Sequence, residues 1–379
     1  MMQRLGYRST LTRRSRGALW WCLGTFAVLQ AVCGLAVFLL PEVHDPHYGY
    51  KAPVLLRRTA GRPLTVVMLG SSRTLNGFEA GRLEKYLARE LGLPVVVFNF
   101  GSPGAGPFTE LLYWHRLESE GLRPDLLLVE VLPPLLNGNN PTEGQWLSPW
   151  RLWRPELSML VRYGFPPAAL RQSWWNGWLI PSYTYRFSFM TRLLPNWLPW
   201  NLRMDGTRCR DESGWNPQFG MGQTPGQHEA KIAHAYQEWA PRLTDFRLGG
   251  PACKAIQDLV GRCKRGGIPT AMVLMPEGKT FQSWYPRSAW PQVRRFLKQL
   301  RERNGVAIID AHNWMTEADF LDSHHLLTQG AEGFATRLGP EVLRLLREQV
   351  QKPAVLSTGA GRPGHSSRAK LQRLLWKGI

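Results

Sequence analysis

The chain has no Cys-x-x-Cys, no His/Cys cluster and no cysteine pair at metal-ligand spacing, so it gives no sign of a bound metal. Its five cysteines are scattered. Cys22 and Cys33 lie in an apolar run, where they act as small hydrophobes. Cys253 and Cys263 fall on one expected helix, too far apart along it for an easy bridge, and the sequence does not decide whether Cys209 pairs with either. Acidic residues are scarce as well: 28 Asp and Glu against 47 Lys and Arg give a formal net charge of +19. Such an excess implies anionic surroundings. Zinc-finger spacing, RNP-like aromatic motifs and dense basic blocks are missing from the expected folded part, which argues against nucleic acid. No internal repeat is present and no cofactor is expected.

Charge is missing altogether from residues 17–40, where Thr25 and Gln30 are the clearly polar side chains. Twenty-four helical residues span about 36 Å, enough to cross a hydrocarbon core of about 30 Å with some tilt. Arg4, Arg8, Arg13, Arg14 and Arg16 precede this run, whereas Glu42 and Asp45 follow it. The positive-inside rule then keeps residues 1–16 in the cytoplasm and exports the rest, a single-pass inner-membrane protein with a periplasmic body. The run is longer than a typical signal-peptide core, and no small-x-small site precedes Pro41, so an uncleaved anchor is expected. Residues 41–63, rich in Pro, His and Arg, read as a tether.

Beyond it the chain alternates. Apolar strands are expected at Leu64–Leu69, Val95–Phe98 and Asp125–Val131, with helices near Glu79–Leu91 and Phe108–Glu120 between them. The rhythm resumes near Pro251 with a helix to Arg265, a strand at Gly267–Met275, a helix over Pro291–Asn304, a strand at Val306–Ile309 and a last helix after Gly330. Strands joined by helices and short glycine turns describe βαβ units and a mainly parallel sheet over residues 64–350. A tail at 351–379, rich in Gly, Ser, Pro and basic residues, is expected to be disordered.

Residues 133–245 break the rhythm as an insertion. Its stretch Pro141–Trp200 holds eight of the 17 tryptophans, interleaved with arginines and almost free of acid. The aromatics either pack on the core or form a lid or interfacial segment, since Trp and Arg suit a membrane surface or a sugar groove.

A hydroxyl nucleophile needs exposure, a base, a group to orient the base, and donors for an oxyanion. Ser72 follows the first strand at Gly70-Ser71-Ser72, at the carboxyl edge where open parallel sheets place ligands. The late pair Asp322-x-x-His325 supplies a base and its orienter from one loop, with His324 the rival histidine and Ser71 the rival nucleophile. Gly101, after the second strand, would let a backbone N–H approach an oxyanion. Ser71, Arg73, Asn99 and Glu277 are pocket candidates, Arg73 either as a holder of an acidic or phosphorylated group or as a solvated surface residue. A second pair, Asp310-x-His312, reads as a strand end with a surface histidine.

Gly-x-Ser after the first strand, a glycine turn after the second and Asp-x-x-His-Leu near the end resemble the SGNH/GDSL-like hydrolases. The resemblance covers roughly residues 64–135 and 250–350. It implies a three-layer α/β/α sandwich and a triad of Ser72, His325 and Asp322, with the Ser72 and Gly101 amides in the oxyanion hole. The activity implied is that of a serine esterase or O-acyltransferase. Gly70-Ser71-Ser72 in place of Gly-Asp-Ser, with the N-terminal anchor, resembles the membrane-tethered branch that O-acylates cell-surface polymers, such as the alginate acetylation and D-alanyl transfer proteins. That branch implies a bilayer, an envelope polysaccharide or lipid substrate, and a membrane acyltransferase as partners. The chain departs from the family at its third strand. Val129-Glu130-Val131 stands where Gly-x-Asn-Asp is usual, with Asn137 and Asn139 as candidate substitutes. The departure opens the alternative of an inactive member that binds polymer or recruits an acyltransferase.

Overall fold

The computed structural model describes residues 6–139, 147–199, 202–205, 211–218 and 224–351, side chains at 6–14 and 350–351 excepted. The expected tail and Cys209 lie outside these. Contacts divide the chain into two units. One takes in Met1–Gly49, Pro149–Leu157 and Pro166–Gly206; the other takes in Tyr50–Ser148, Ser158–Phe165 and Thr207–Ile379.

The first unit opens with helix α1, Gly6–Leu39. Its stretch Ser15–Leu39 is long and apolar enough to cross a membrane, and its apolar side chains are largely exposed. The segment read as a tether is helical in three pieces, Pro41–His44, Pro46–Gly49 and Ala52–Thr59. Pro41 and Pro46 open the first two and Pro53 is second in the third, because Pro in a first helical turn costs no intrahelical hydrogen bond and presets φ.

The second unit is built on five parallel strands in the order β2-β1-β3-β4-β5. After β1 (Leu64–Gly70) come the six-residue helix α2 (Ser72–Gly77) and α3 (Ala80–Leu91). Strand β2 (Val95–Gly101), helix α4 (Pro107–Ser119) and β3 (Leu126–Val131) follow. Strands β1, β2 and β3 are buried at every position, as a sheet covered on both faces requires. Val66 and Met68 of β1 pack with Phe78, Leu83 and Leu87 on one face.

Two helices of the Trp-rich segment, α5 (Pro167–Leu179) and α6 (Arg186–Leu193), belong to the first unit. Of the rest of the expected insertion, Pro149–Leu157 shares that unit, whereas Ser158–Phe165 goes with the sheet. Helix α7 (Pro225–Leu243), opened by a Thr224–Gln227 capping box, belongs with the sheet. Then come α8 (Gly250–Arg265), β4 (Thr270–Leu274), α9 (Lys279–Ser283), α10 (Ala289–Asn304), β5 (Ala307–Asp310) and α11 (Thr328–Gln351).

The chain runs from β1 outward to β2 on one side, and to β3, β4 and β5 on the other. The change of direction lies beside the carboxyl end of β1, where a doubly wound sheet opens its ligand crevice. Ser72 begins there.

Candidate active site

Three residues place Ser72. Gly70 ends β1, and a Cβ there would lie 2.1 Å from Thr74 Oγ1 and 2.5 Å from Glu130 Oε2, so any side chain would displace them. Ser71 caps α2: its Oγ accepts from the Arg73 N–H at 3.1 Å, and its own N–H donates to Glu130 Oε2 at 2.7 Å. Ser72 is therefore the first helical residue, and it is half-buried while Ser71 and residues 73–77 are buried.

Ser72 Oγ lies 2.8 Å from His325 Nε2, and His325 Nδ1 lies 2.8 Å from Asp322 Oδ2. A proton on Nδ1 satisfies both contacts, donated to the carboxylate while Nε2 accepts from the hydroxyl. Asp322 Oδ1 also accepts the backbone N–H of His325 at 2.8 Å and of His324 at 3.2 Å, closing the loop into a tight turn. Burial pushes the Asp322 carboxyl up, but the charge and hydrogen bonds of His325, with His324, outweigh it and hold it well below the ordinary aspartate range.

Neighbouring elements clamp this loop. Ser323 is left-handed (φ 68°), a conformation that costs a non-glycine residue about 1–2 kcal/mol. Its carbonyl accepts from the Gly278 N–H at 2.8 Å, and its hydroxyl accepts from the Phe281 N–H at 2.9 Å. A Cβ at Gly278 would sit 2.4 Å from that hydroxyl. His324 points away from the serine. It stacks on Phe281 and accepts from Trp239 Nε1–H at 3.2 Å. Burial, then the charge of neighbouring His325, drives its pKa well below the usual histidine value. Trp239 is not legible from local pattern, because it reaches the loop from α7, 85 residues away.

The four residues read as pocket candidates are all buried: Ser71, Arg73, Asn99 and Glu277. Arg73 is 2% exposed and faces inward, not toward a substrate. Its Nη1 donates to Glu277 Oε1 at 3.1 Å and its Nη2 to the carbonyls of Met275 and Pro276, with Glu130 Oε1 at 3.8 Å from Nε. Burial lowers the guanidinium pKa, yet Glu277 and Glu130 raise it further. Burial raises the Glu277 carboxyl against the opposing pull of Arg73, while Tyr285 Oη donates to Oε1 at 2.9 Å. Asn99 binds the end of α2, its amide donating to the carbonyls of Thr74, Leu75 and Phe78.

Gly101 needs a different reason from the expected one. Its N–H already donates to Asn99 Oδ1 at 2.9 Å, so it is not open to an oxyanion. A Cβ there would meet the Leu75 amide nitrogen at 2.3 Å; the glycine lets α2 lie against β2. Its carbonyl, with that of Asn99, accepts from buried Lys51 Nζ at 2.7 and 3.0 Å. Farther along the loop the Ser102 amide goes to Gly70, Pro103 has none and the Ala105 amide goes to Ser102. Gly104, left-handed at φ 67°, carries the remaining amide of this stretch, with no hydrogen bond among the described residues. The Ser72 amide makes none among them either.

The third-strand departure also has a physical account. Glu130 points at the turn that carries Ser72, accepting from the Ser71 hydroxyl at 3.0 Å and the Thr74 hydroxyl at 2.7 Å as well as the Ser71 amide. A carboxylate inside an otherwise apolar buried strand was the readable signal, since such a group needs donors. Asn137 and Asn139 are spent elsewhere: their amides donate to Arg242 and Thr244, and to Asp245. Asp310 and His312 bond each other at the end of β5, with His312 stacked on Trp290. They do not join Ser72.

Asp322, His324 and His325 bring three potential ligand atoms within 4.8 Å. The atoms are occupied by the hydrogen bonds described, which is the donor set of a proton relay rather than of an open metal cage.

A protein-family model matches residues 251–347, a span that contains Asp322 and His325 but not Ser72. No curated protein matches the chain. Among solved structures, it is similar to a variant of Axe2, an acetyl-xylooligosaccharide esterase from Geobacillus Stearmophilus, at 12% identity and a TM-score of 0.36, covering 79% of this chain and 97% of that one. It is similar to a protein from Bacteroides fragilis named as an acylhydrolase, at 11% identity and a TM-score of 0.34, covering 75% and 88%. A G-D-S-L-family protein from Desulfitobacterium hafniense matches at 10% identity and a TM-score of 0.30, covering 74% and 99%. Likeness at this level assigns no chemistry to the present chain.

Proposed function

We propose that the chain is a membrane-anchored SGNH-like serine esterase or O-acyltransferase, with Ser72 as nucleophile, His325 as general base and Asp322 as the group that orients it. The observation that supports this reading is the unbroken hydrogen-bonded run from Ser72 Oγ through His325 to Asp322, both links at 2.8 Å. Ser72 Oγ attacks an ester carbonyl carbon while its proton passes to His325 Nε2. Collapse of the tetrahedral intermediate breaks the ester C–O bond, and the imidazolium returns the proton to the departing alcohol. The acyl group, now on Ser72, goes to water in hydrolysis or to an acceptor hydroxyl in transfer. The Ser72 amide and the Gly104 amide are the donors we assign to the oxyanion. The anchor is α1, with the α/β unit outside the cytoplasm and a cell-envelope glycan or lipid as substrate. A membrane acyltransferase as acyl donor fits the transfer version.

The test is a fluorophosphonate probe on purified full-length protein. It should label Ser72, located by peptide mass, and fail on His325→Ala. A folded protein unlabelled at Ser72, or labelled at Ser71 instead, would sink the reading.

One observation favours a second reading, a non-catalytic polymer-binding or recruiting protein. Neither the Gly101 amide nor a third-strand side chain is open to an oxyanion, and loss of one such donor costs about 2.7–4 kcal/mol in the transition state. On that reading Ser72→Ala leaves the cellular phenotype unchanged.

A further inference from the structure

Helix α1 carries one amide in its apolar span, Gln30, and that amide has an unexpected partner. Gln30 Nε2 donates to Ser182 Oγ at 3.0 Å, and the Ser182 backbone N–H donates to Gln30 Oε1 at 3.2 Å. The helical ladder of α5 breaks at Ile180, and Ser182 is the second residue of a four-residue helix, Pro181–Thr184, that follows the break, where its N–H has no partner within the helix. One helical turn up from Gln30, Gly34 faces the Pro181 ring, to which a Cβ would come within 3.9 Å. One further turn up, Phe38 meets Trp153 edge to face at 6.0 Å, and Val37 packs with Val43, Tyr185 and Trp178. Residues 30, 34 and 38 form one stripe of α1, and the Trp-rich segment follows that stripe downward.

The depth reached follows from helix geometry. Gln30 lies nine residues before Leu39, or about 14 Å along the axis. Half of a hydrocarbon core is about 15 Å. A segment that touches Gln30 therefore lies beside the apolar span, not above it.

The outer surface of that segment has matching chemistry. Trp175, Leu179, Ile180, Tyr183, Leu193 and Trp197 are exposed, Trp197 at 74% and Tyr183 at 65%. These residues share a unit with α1, whose own exposed side chains are equally apolar. Hydrocarbon also requires freed backbone donors to be satisfied internally, and Gln30 takes the Ser182 amide that the break frees. The charge nearest the tip is Arg186, one turn from Tyr183. Its guanidinium lies over the Tyr183 and Phe187 rings at 4.1 and 4.4 Å and donates to the Tyr183 carbonyl, an arrangement suited to a side chain reaching back to the interface.

We propose that the α5–α6 helical hairpin, with its tip at Ile180–Tyr183, is a second membrane element that enters the bilayer from one side and docks on the anchor through the Gln30–Ser182 pair. The occupant of its exposed face is lipid hydrocarbon. The inference rests on the reading of α1 as a membrane anchor.

Site-directed spin labelling of the full chain in phosphatidylcholine/phosphatidylglycerol vesicles tests it, with native cysteines replaced by serine. Labels replace Leu179 and Tyr183, with Phe26 on α1 as the anchor control and Tyr236 on α7 as the aqueous control. At Leu179 and Tyr183, oxygen should relax the label more than a nickel chelate does, as at Phe26. Nickel access equal to that at Tyr236 would overturn the hairpin, as would shielding from both reagents, which would mean protein covers this face. An aqueous Phe26 would instead bring down the anchor, and the hairpin with it. A second measurement leaves the cysteines alone: acyl-brominated lipid should quench wild-type tryptophan emission, and the Trp175→Phe/Trp197→Phe variant should lose part of that quenching. Unchanged quenching in the variant would overturn the proposal.

Discussion

The carboxyl edge of the sheet and the Trp-rich helices are opposite solutions to the same solvent problem. Beneath Ser72 the chain buries charge: Arg73, Glu130, Glu277 and Lys51 are all within 2% of full burial, and hydrogen bonds satisfy most of their polar atoms. In α5 and α6 it exposes apolar surface instead. Buried ion pairs contribute little net stability in most proteins, and their use beneath a turn that must hold one hydroxyl in place is consistent with a role in fixing geometry. Exposed tryptophan and leucine side by side with an apolar helix suit surroundings that are not water. With the hairpin in lipid, as proposed, burial in each region follows the local solvent and not residue type.

The largest effect that sharpens this contrast is chemical. Ser72→Ala and His325→Ala should each reduce acyl-ester turnover by roughly 10⁴- to 10⁶-fold, with an unchanged melting temperature, because both side chains act as one unit at the surface of a rigid support. A variant that unfolds, or one that retains turnover, breaks the division between site and support.

Next is the support itself. Arg73→Ala leaves Glu130 and Glu277 buried without their cation, and should cost about 3–5 kcal/mol, read as a lowered thermal midpoint in detergent. Arg73→Met, which fills the volume, should lose as much, because the two carboxylates remain. If Arg73→Met/Glu277→Gln recovers stability, the network holds charge for geometry and not for strength.

Acidification gives a smaller and directional effect. Asp322 is held below its ordinary range in the folded state, so its contribution to stability is complete above about pH 4, the unfolded value, and is lost as pH falls further. The stability gap between wild type and Asp322→Asn should therefore narrow between pH 5 and pH 3. A gap that widens on acidification contradicts the ion-pair geometry.

The smallest effect is expected in the other region. Leu179→Ser should change thermal stability in detergent micelles by no more than about 0.5 kcal/mol, because that side chain is largely exposed. A large loss would mean that this surface is covered in the folded protein.

Much of the candidate site's layout is legible in local sequence. A glycine-serine turn after an apolar strand fixes the serine at a carboxyl edge, and a three-residue separation lets one loop carry both Asp322 and His325. The choice of His325 over His324 is less accessible, since successive residues in a tight turn point in different directions and Trp239 and Phe281, which take His324, are remote in sequence. Arg73 misled for a related reason. It follows Ser72 directly, but a helix rotates about 100° per residue, so a neighbour of an outward serine faces the core. Glu130 was readable as a buried charge in need of donors, though not which donors.

By itself, then, the sequence determined the apolar span, the strand rhythm and the residue types at the ends of β1 and the late loop, because these depend on local pattern and spacing. The tertiary structure alone decided which amides stay open, with Gly101 spent on Asn99 and Gly104 left, and which charges turn inward. It alone joined Gln30 to Ser182 across 152 residues of chain. Such pairings depend on how distant segments meet, and hydrogen-bond satisfaction is settled only where they do.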